Sequence, residues 1–169
     1  ASLVGNHGSM RALQRLECDA ALSAGVNMIL DPGTMQGNAN AGFTSVRGRS
    51  HTFDARADGY ARGEAIDAVA CRLLDEAKDD AAIQMSGSAI RQDGRSASLT
   101  EPNGQAQQGV LSAALADAQL SPEQTSALEA HGTGTALGDP IEAGAVASVL
   151  LSQREPSNAP LAVGSLKAN

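Results

Sequence analysis

The stretch Glu129-Ala130-His131-Gly132-Thr133-Gly134-Thr135-Ala136-Leu137-Gly138-Asp139-Pro140-Ile141-Glu142 decides how this chain is read. Residues 125–130 form a short apolar run, which predicts a strand ending at His131. Gly132 and Gly134 then alternate with Thr133 and Thr135. Glycines let a backbone approach a ligand closely, and the two hydroxyls can hydrogen-bond a polar ligand arm. Asp139 is placed to cap a helix, with Pro140 at its first position, and the helix is expected to run to about residue 152. A histidine at a strand end beside such a loop is placed to donate a hydrogen bond to a carbonyl that gains negative charge. A lone histidine there reads as an incidental surface residue; the complete string is far more specific.

The same reading extends in both directions. Residues 160–166 predict a last strand after a loop at 153–159. Residues 105–119 predict a helix, with Val110, Leu111, Ala114 and Leu115 on one face, ahead of a turn or new helix start at Ser121-Pro122-Glu123. Residues 92–103 are a polar loop, 81–91 read as a strand, and 75–80 as a short turn or helix. Residues 65–75 suit a strand, with a helix as the alternative. Residues 33–63 are rich in Gly, Asn, Ser and Arg and lack periodicity; a loop of that length in a compact domain is often functional. Residues 19–30 suggest a buried strand stopped by Asp31-Pro32-Gly33, and 3–16 carry apolar positions at helical spacing. Strand and helix alternate through the second half, which favours a layered α/β fold.

The 169 residues suit one ordinary domain, and 42% apolar content is enough for a core, but with 2% aromatics that core is built of Ala, Val, Leu, Ile and Met. A net charge of -7 with no Lys/Arg run argues against nucleic acid and against an anionic membrane surface. No apolar run reaches the roughly 18 residues of a membrane span, and no signal peptide opens the chain. The start at Ala1-Ser2-Leu3-Val4 and the end at Lys167-Ala168-Asn169 read as cut points inside a larger protein. The two cysteines, Cys18 and Cys71, have no metal-site spacing. An intracellular setting, cytoplasmic or plastid, is expected.

The string at 129–142 resembles the segment around the first active-site histidine of β-ketoacyl synthases, the ketosynthase domains of polyketide synthases. Other strings agree in the same order. Gly48-Arg49, Thr52-Phe53-Asp54 and Asp58-Gly59-Tyr60-Ala61-Arg62-Gly63-Glu64 resemble the family's "GR…FD…DGYVRGEG". Gly87-Ser88-Ala89-Ile90 with Gln92-Asp93-Gly94-Arg95 resembles "GSAVNQDGR", and Leu99-Thr100 with Pro102-Asn103-Gly104 resembles "LTAPNG". Gly164-Ser165-Leu166-Lys167-Ala168-Asn169 resembles "GSVKSN". The match covers nearly the whole chain.

The resemblance implies a thiolase-like fold in part, a layered α-β-α-β-α arrangement. Residues 1–80 would be the end of the N-terminal half and 81–169 the start of the C-terminal half. It also implies decarboxylative condensation of acyl and malonyl-type thioesters into a β-ketoacyl chain. The alternatives are a non-catalytic homologue acting as dimer partner or chain-length determinant, and a fatty-acid ketosynthase; a thiolase proper fits least. The family's nucleophilic cysteine stands just before a Ser-Leu-Val that matches Ser2-Leu3-Val4, and its second histidine follows the motif that ends here at Asn169. Of the Cys–His–His set the chain carries His131, so alone it is expected to be inactive. His131 is implied as an enolate-stabilising donor, Lys167 as the active-site lysine (a salt-bridged strand-end lysine is the plainer reading), and Thr133 and Thr135 as contacts for a phosphopantetheine arm. No cofactor is bound directly; substrate arrives on the arm of an acyl carrier protein, and a homodimer with residues 19–30 near its interface is implied.

Other candidates are set aside. Cys18 lies between Glu17 and Asp19, and Cys71 in an apolar run; neither setting favours a thiolate, so both are read as structural. Asp54, Asp58, Gly59 and Glu64 do not fit a calcium loop, whose third and final positions fall on Arg56 and Ala65. Arg62 and Glu64 are expected to pair with loop backbone or each other. His7 and His51 have no partner pattern, and Asp139 and Glu142 read as helix-start residues rather than catalysts. Ala65 and Asp67 stand where many family members have glycine, and Asn38 and Asn40 lie in a loop that varies in the family; Asp67 is awkward in a strand unless it faces solvent or a partner.

Overall fold

The computed structural model describes residues 2–75, 83–95, 101–155 and 157–168. The expected turn at 75–80, the expected division near residue 80 and Leu99-Thr100 therefore fall mainly or wholly outside the described residues.

Helix α1 spans Ser2–Gln14 and buries Met10 and Leu13. Strands β1, Ala20–Asn27, and β2, Ala65–Arg72, pair antiparallel from Ala20 opposite Arg72 to Asn27 opposite Ala65. α1 packs on one face of this pair. The other face carries Leu22, Val26 and Ile66, which are 71%, 65% and 71% exposed. The expectation of a buried strand at 19–30 is thus corrected: among the described residues, one helix covers one face and no layer covers the other.

Between β1 and β2 the sequence predicts only loop, yet Pro32–Asn40 forms helix α2. β1 ends at Asn27, and Asp31 and Pro32 start this helix. The Asp31 carboxylate accepts from Gly33 N and Thr34 N, both at 3.0 Å, and proline occupies the first turn. Those amides hold the Asp31 carboxyl below the usual carboxylate range.

Residues 83–91 form no strand, contrary to expectation. Their polar groups are claimed by two helices instead. Arg11 Nη2 donates to Ser88 O at 2.9 Å, and Ser88 N donates to Asp117 at 2.8 Å. Arg11 and Asp117 form an ion pair at 2.7 Å, and His7 Nδ1 lies 2.8 Å from Ser88 Oγ. This polar node ties α1 to helix α3, Gly104–Ala118. Asn103 caps α3 through Gln105 N and Ala106 N, and Gln119 ends it in the left-handed region at φ 57°.

Strands β3, Ala127–Glu129, and β4, Ala162–Gly164, pair in parallel, with Glu129 opposite Gly164. Between them lie helix α4, Gly138–Val146, and a wider π turn at Ala147–Leu151, where the sequence suggests a helix continuing to about 152. Ala145, Val146 and Leu150 are buried and join α4 to α3. Arg154 closes the unit: its guanidinium donates to the carbonyls of Ala159, Pro122 and Thr125 at 2.9–3.3 Å. No helix of the described residues is long and apolar enough to cross a membrane.

Candidate active site

The parallel pairing of β3 with β4 brings two sequence-distant segments to one place. Ala130 N extends the ladder to Gly164 O at 2.8 Å, and Leu166 N donates to the Glu129 carboxylate at 2.7 Å. His131 leaves the end of β3 beside the turn that carries Ser165, Leu166 and Lys167.

The loop after His131 is held by two carboxylates from the first turns of α4. Glu142 accepts from His131 N at 2.7 Å through one oxygen and from Gly132 N at 2.8 Å through the other. Asp139 Oδ1 accepts from Gly134 N at 3.0 Å and Thr135 N at 3.3 Å, and its Oδ2 accepts from Phe53 N at 2.7 Å. Spacing of three residues puts both acids on one face of α4, where anions are favoured near a helix N-terminus. Asp139 is only 4% exposed, so these bonds also satisfy a buried charge.

Asp139 is therefore not the N-cap that the sequence suggests. The helix begins at Gly138, two residues before the expected first position at Pro140, and the Gly138 amide donates to Thr135 Oγ1 at 3.1 Å. The Thr135 hydroxyl serves the helix start, and Thr133 Oγ1 lies 3.3 Å from it.

The long loop of residues 43–63 forms the outer wall. Gly59 N donates to Gly134 O at 2.9 Å, and Thr52 Oγ1 donates to Gly132 O at 2.6 Å. Ser50, 3% exposed, accepts from Ala61 N at 2.9 Å and pins the loop to itself. The contact is tight enough to demand glycine at 134: its φ is +74°, and a Cβ there would lie 2.7 Å from His51 N. Gly132, at φ +44°, is similarly crowded by Thr52 and Ser165. Phe53 adopts φ +54°, a strained value for a bulky residue, and its amide is the one that Asp139 holds. A groove of about 410 Å³ separates Phe53 and Ala55 from Pro140 and Ala143.

The structure thus gathers His131, Thr133, Thr135 and the Lys167 turn. The His131 side chain is exposed, and among the described residues its imidazole makes no hydrogen bond. Lys167 is exposed and forms no salt bridge among the described residues, so the strand-end ion pair is not seen. Cys18 and Cys71 are free and half-buried.

Each acid of the 54–64 segment has its own protein partner. Asp54 binds Arg56 at 2.7 Å, and that side-chain hydrogen bond drives its carboxyl far below the usual range. Asp58 accepts from Ser45 Oγ at 2.6 Å. Glu64 accepts from Ile29 N at 2.6 Å, a loop backbone partner as expected, whereas Arg62 stacks over Tyr60 at 5.4 Å rather than pairing with Glu64. Asp67 faces solvent at the surface of β2.

Sequence reasoning did not assign Asp139 and Glu142 to the loop, nor His7, Arg11 and Asp117 to Ser88. The first had a signal: two acids three residues apart, directly after a run of glycines whose amides need acceptors. The second joins residues 29 to 81 apart in sequence and had none.

Two family models match: "Beta-ketoacyl synthase, N-terminal domain" over residues 1–80 and "Beta-ketoacyl synthase, C-terminal domain" over residues 82–169. A phenolphthiocerol/phthiocerol polyketide synthase chain of Mycobacterium tuberculosis is 43% identical over 99% of this chain. A PKS-NRPS hybrid synthetase of Aspergillus niger is 44% identical over 100%. The chain spans 9% of the length of each of these relatives. The solved ketosynthase from module 6 of the bacillaene synthase of Bacillus subtilis matches with a TM-score of 0.90 and 34% identity, over 99% of this chain and 31% of its own. An oxazolomycin ketosynthase domain from Streptomyces albus matches with a TM-score of 0.90, 31% identity and coverages of 99% and 30%. The fold is that of these domains, the thiolase-like fold, of which the chain forms part.

Proposed function

Since the chain belongs to the β-ketoacyl synthase family, we propose that it forms part of a polyketide synthase ketosynthase that joins an acyl group to a malonyl-type unit. The observation that carries this reading is the bracket of Glu142 and Asp139 on the loop amides. It commits the backbone donors of residues 131–135 to fixed acceptors and leaves the His131 imidazole exposed, with no partner among the described residues.

In the proposed reaction a cysteine, placed by the family's motif just before Ala1, takes the acyl group from a carrier thioester and releases the carrier thiol. A malonyl-type thioester then loses carbon dioxide. The electron pair left behind forms an enolate, whose oxygen accepts a hydrogen bond from His131. The enolate carbon attacks the acyl-cysteine carbonyl, expels the thiolate and gives the β-ketoacyl product. Lys167, one turn beyond the paired strand, adds positive charge near that oxygen. Thr133 and Thr135 line the approach of the phosphopantetheine arm, and the partner that brings it is an acyl carrier protein. The protein acts as a homodimer with residues 19–30 near the interface, where the uncovered apolar face of β1–β2 lies. The halves divide near residue 80. The names of the relatives favour polyketide over fatty-acid synthesis.

The test is His131→Ala in a ketosynthase domain that contains this chain. Removing one oxyanion-type donor costs roughly 10²–10³-fold in rate, so condensation falls by that factor while acylation of the cysteine persists. Condensation at the unmutated rate overturns the role given to His131, and a wild-type domain that condenses nothing supports the non-catalytic alternative.

A further inference from the structure

The turn that carries Lys167 stands on little backbone. β4 is three residues long, and the ladder to β3 ends where Ala130 N donates to Gly164 O. Beyond it Ser165 leads into the single turn Leu166–Ala168, in which Ala168 N donates to Ser165 O at 3.0 Å. Packing adds little, because Leu166 is 73% exposed. Side-chain hydrogen bonds therefore tie the turn to the rest of the site, and among the described residues three do so. Ser165 Oγ donates to Gly132 O and Arg49 Nη2 to Ala168 O, both at 3.4 Å, whereas the Glu129 carboxylate accepts from Leu166 N at 2.7 Å. Two contacts at the long limit of a hydrogen bond are weak beside one short bond to a charged acceptor. Glu129 is thus the main tie, and it stands at the end of β3, two residues before His131.

We propose that Glu129 is a positioning residue: through the Leu166 amide it sets where Lys167 stands relative to His131. This rests on the ketosynthase reading, in which the enolate oxygen takes a hydrogen bond from His131 and the charge of Lys167 lies near. Glu129 touches no reacting atom. It joins the strand that leads to His131 with the residue directly before Lys167. A charge stabilises an oxyanion according to its distance, and a misplacement of about 1 Å costs on the order of 10²-fold in rate. Lys167 has no salt bridge among the described residues, so the backbone of its turn is what limits its position. The tie needs an acceptor oxygen at residue 129, not a negative charge.

The experiment measures β-ketoacyl formation from butyryl and malonyl N-acetylcysteamine thioesters by a ketosynthase domain containing this chain. Glu129→Ala lowers kcat about 10–100-fold with KM for the malonyl thioester nearly unchanged, as expected for an interaction lost in the transition state. Glu129→Gln keeps an acceptor oxygen for the Leu166 amide and stays within about fivefold of the wild type. In a Lys167→Ala background, Glu129→Ala has no further effect, because the two residues act as one unit. Additive losses, or a glutamine variant as slow as the alanine one, overturn the proposal. Deuterium exchange of the Leu166 amide, read by mass spectrometry, does not depend on activity. It quickens about tenfold or more in Glu129→Ala, and an unchanged exchange rate overturns the tie even where activity falls. A wild-type domain that condenses nothing, while Glu129→Ala still frees that amide, defeats the ketosynthase reading and the catalytic role of Glu129 with it.

Discussion

Replacing Asp139 is the perturbation that bears most directly on how the site is built. The carboxylate is 4% exposed and accepts three amide hydrogens, from Gly134, Thr135 and Phe53. Hydrogen bonds to a charged group contribute about 1.5–3 kcal/mol each, and a buried donor left unmade costs about 1–3 kcal/mol. Asp139→Ala leaves all three amides without an acceptor. Water can enter the space of the lost carboxylate and recover part of the loss, and removal of the charge ends its own burial cost. The net destabilisation is about 3–5 kcal/mol. Asp139→Asn behaves differently because the two oxygens have separate duties. The amide oxygen, placed at Oδ1, still accepts from Gly134 and Thr135, while the NH₂ group meets the Phe53 amide donor to donor. That variant loses one bond of three, about 1–3 kcal/mol.

The assay is denaturant unfolding of a ketosynthase domain containing the chain, comparing midpoints at equal slope. The order wild type, then Asn, then Ala is expected. Two results refute the reasoning: a loss below about 1 kcal/mol for Asp139→Ala, or an Asn variant as unstable as the Ala variant. Either shows that the carboxylate does not hold the loop against residues 52–59.

Gly134→Ala places a Cβ 2.7 Å from His51 N at φ +74° and is expected to destabilise by about 2–4 kcal/mol. Gly42→Ala shares that φ but meets nothing within 4 Å, so it isolates the backbone term of about 1–2 kcal/mol; equal losses at the two positions sink the packing explanation. The Asp117 carboxyl is held below the usual range, first by the Ser88 amide and then by Arg11. A depressed carboxylate contributes stability above its unfolded pKa and loses it as pH falls through the folded one. Unfolding midpoints measured downward from pH 6 therefore fall less steeply below the usual carboxylate range in Asp117→Asn than in the wild type, and parallel curves refute the linkage.

The sequence made the elements around His131 legible because their signals are local. An apolar run, a glycine–threonine loop and an Asp-Pro helix start lie within sixteen residues, 125–140, and the structure places β3, the loop and the start of α4 there. It did not fix which residue starts the helix. Asp139 has the chemistry of a cap, but its carboxylate has a better use: three amides, one of them 86 residues away, need an acceptor in a place closed to water. Competition of that kind cannot be read from neighbours in sequence. The missed helix α2 shows the opposite fault. Its signal was local, since Asp31-Pro32 opens helices as readily as it ends strands, and the lack of an apolar stripe hid it: among the described residues, none of α2 is buried.

The strand expected at 81–91 is absent over its described residues, 83–91, for a reason that bears on the whole chain. A strand needs a neighbour that offers its own unpaired backbone, whereas a polar side chain can satisfy a lone amide anywhere. Ser88 finds Asp117 and Arg11 on two helices, and its backbone is satisfied without a sheet. The same logic accounts for the loop at 43–63. Its glycines and small polar residues have no period because they do not pack on a layer; they match, one contact at a time, the carbonyls of Gly132 and Gly134 and the carboxylate of Asp139. The reading of His131 therefore depends on residues 50–60 as much as on its own neighbours. The strings Thr52-Phe53-Asp54 and Asp58-Gly59-Tyr60, which carry part of the family resemblance, are the outer wall of the site where His131 stands.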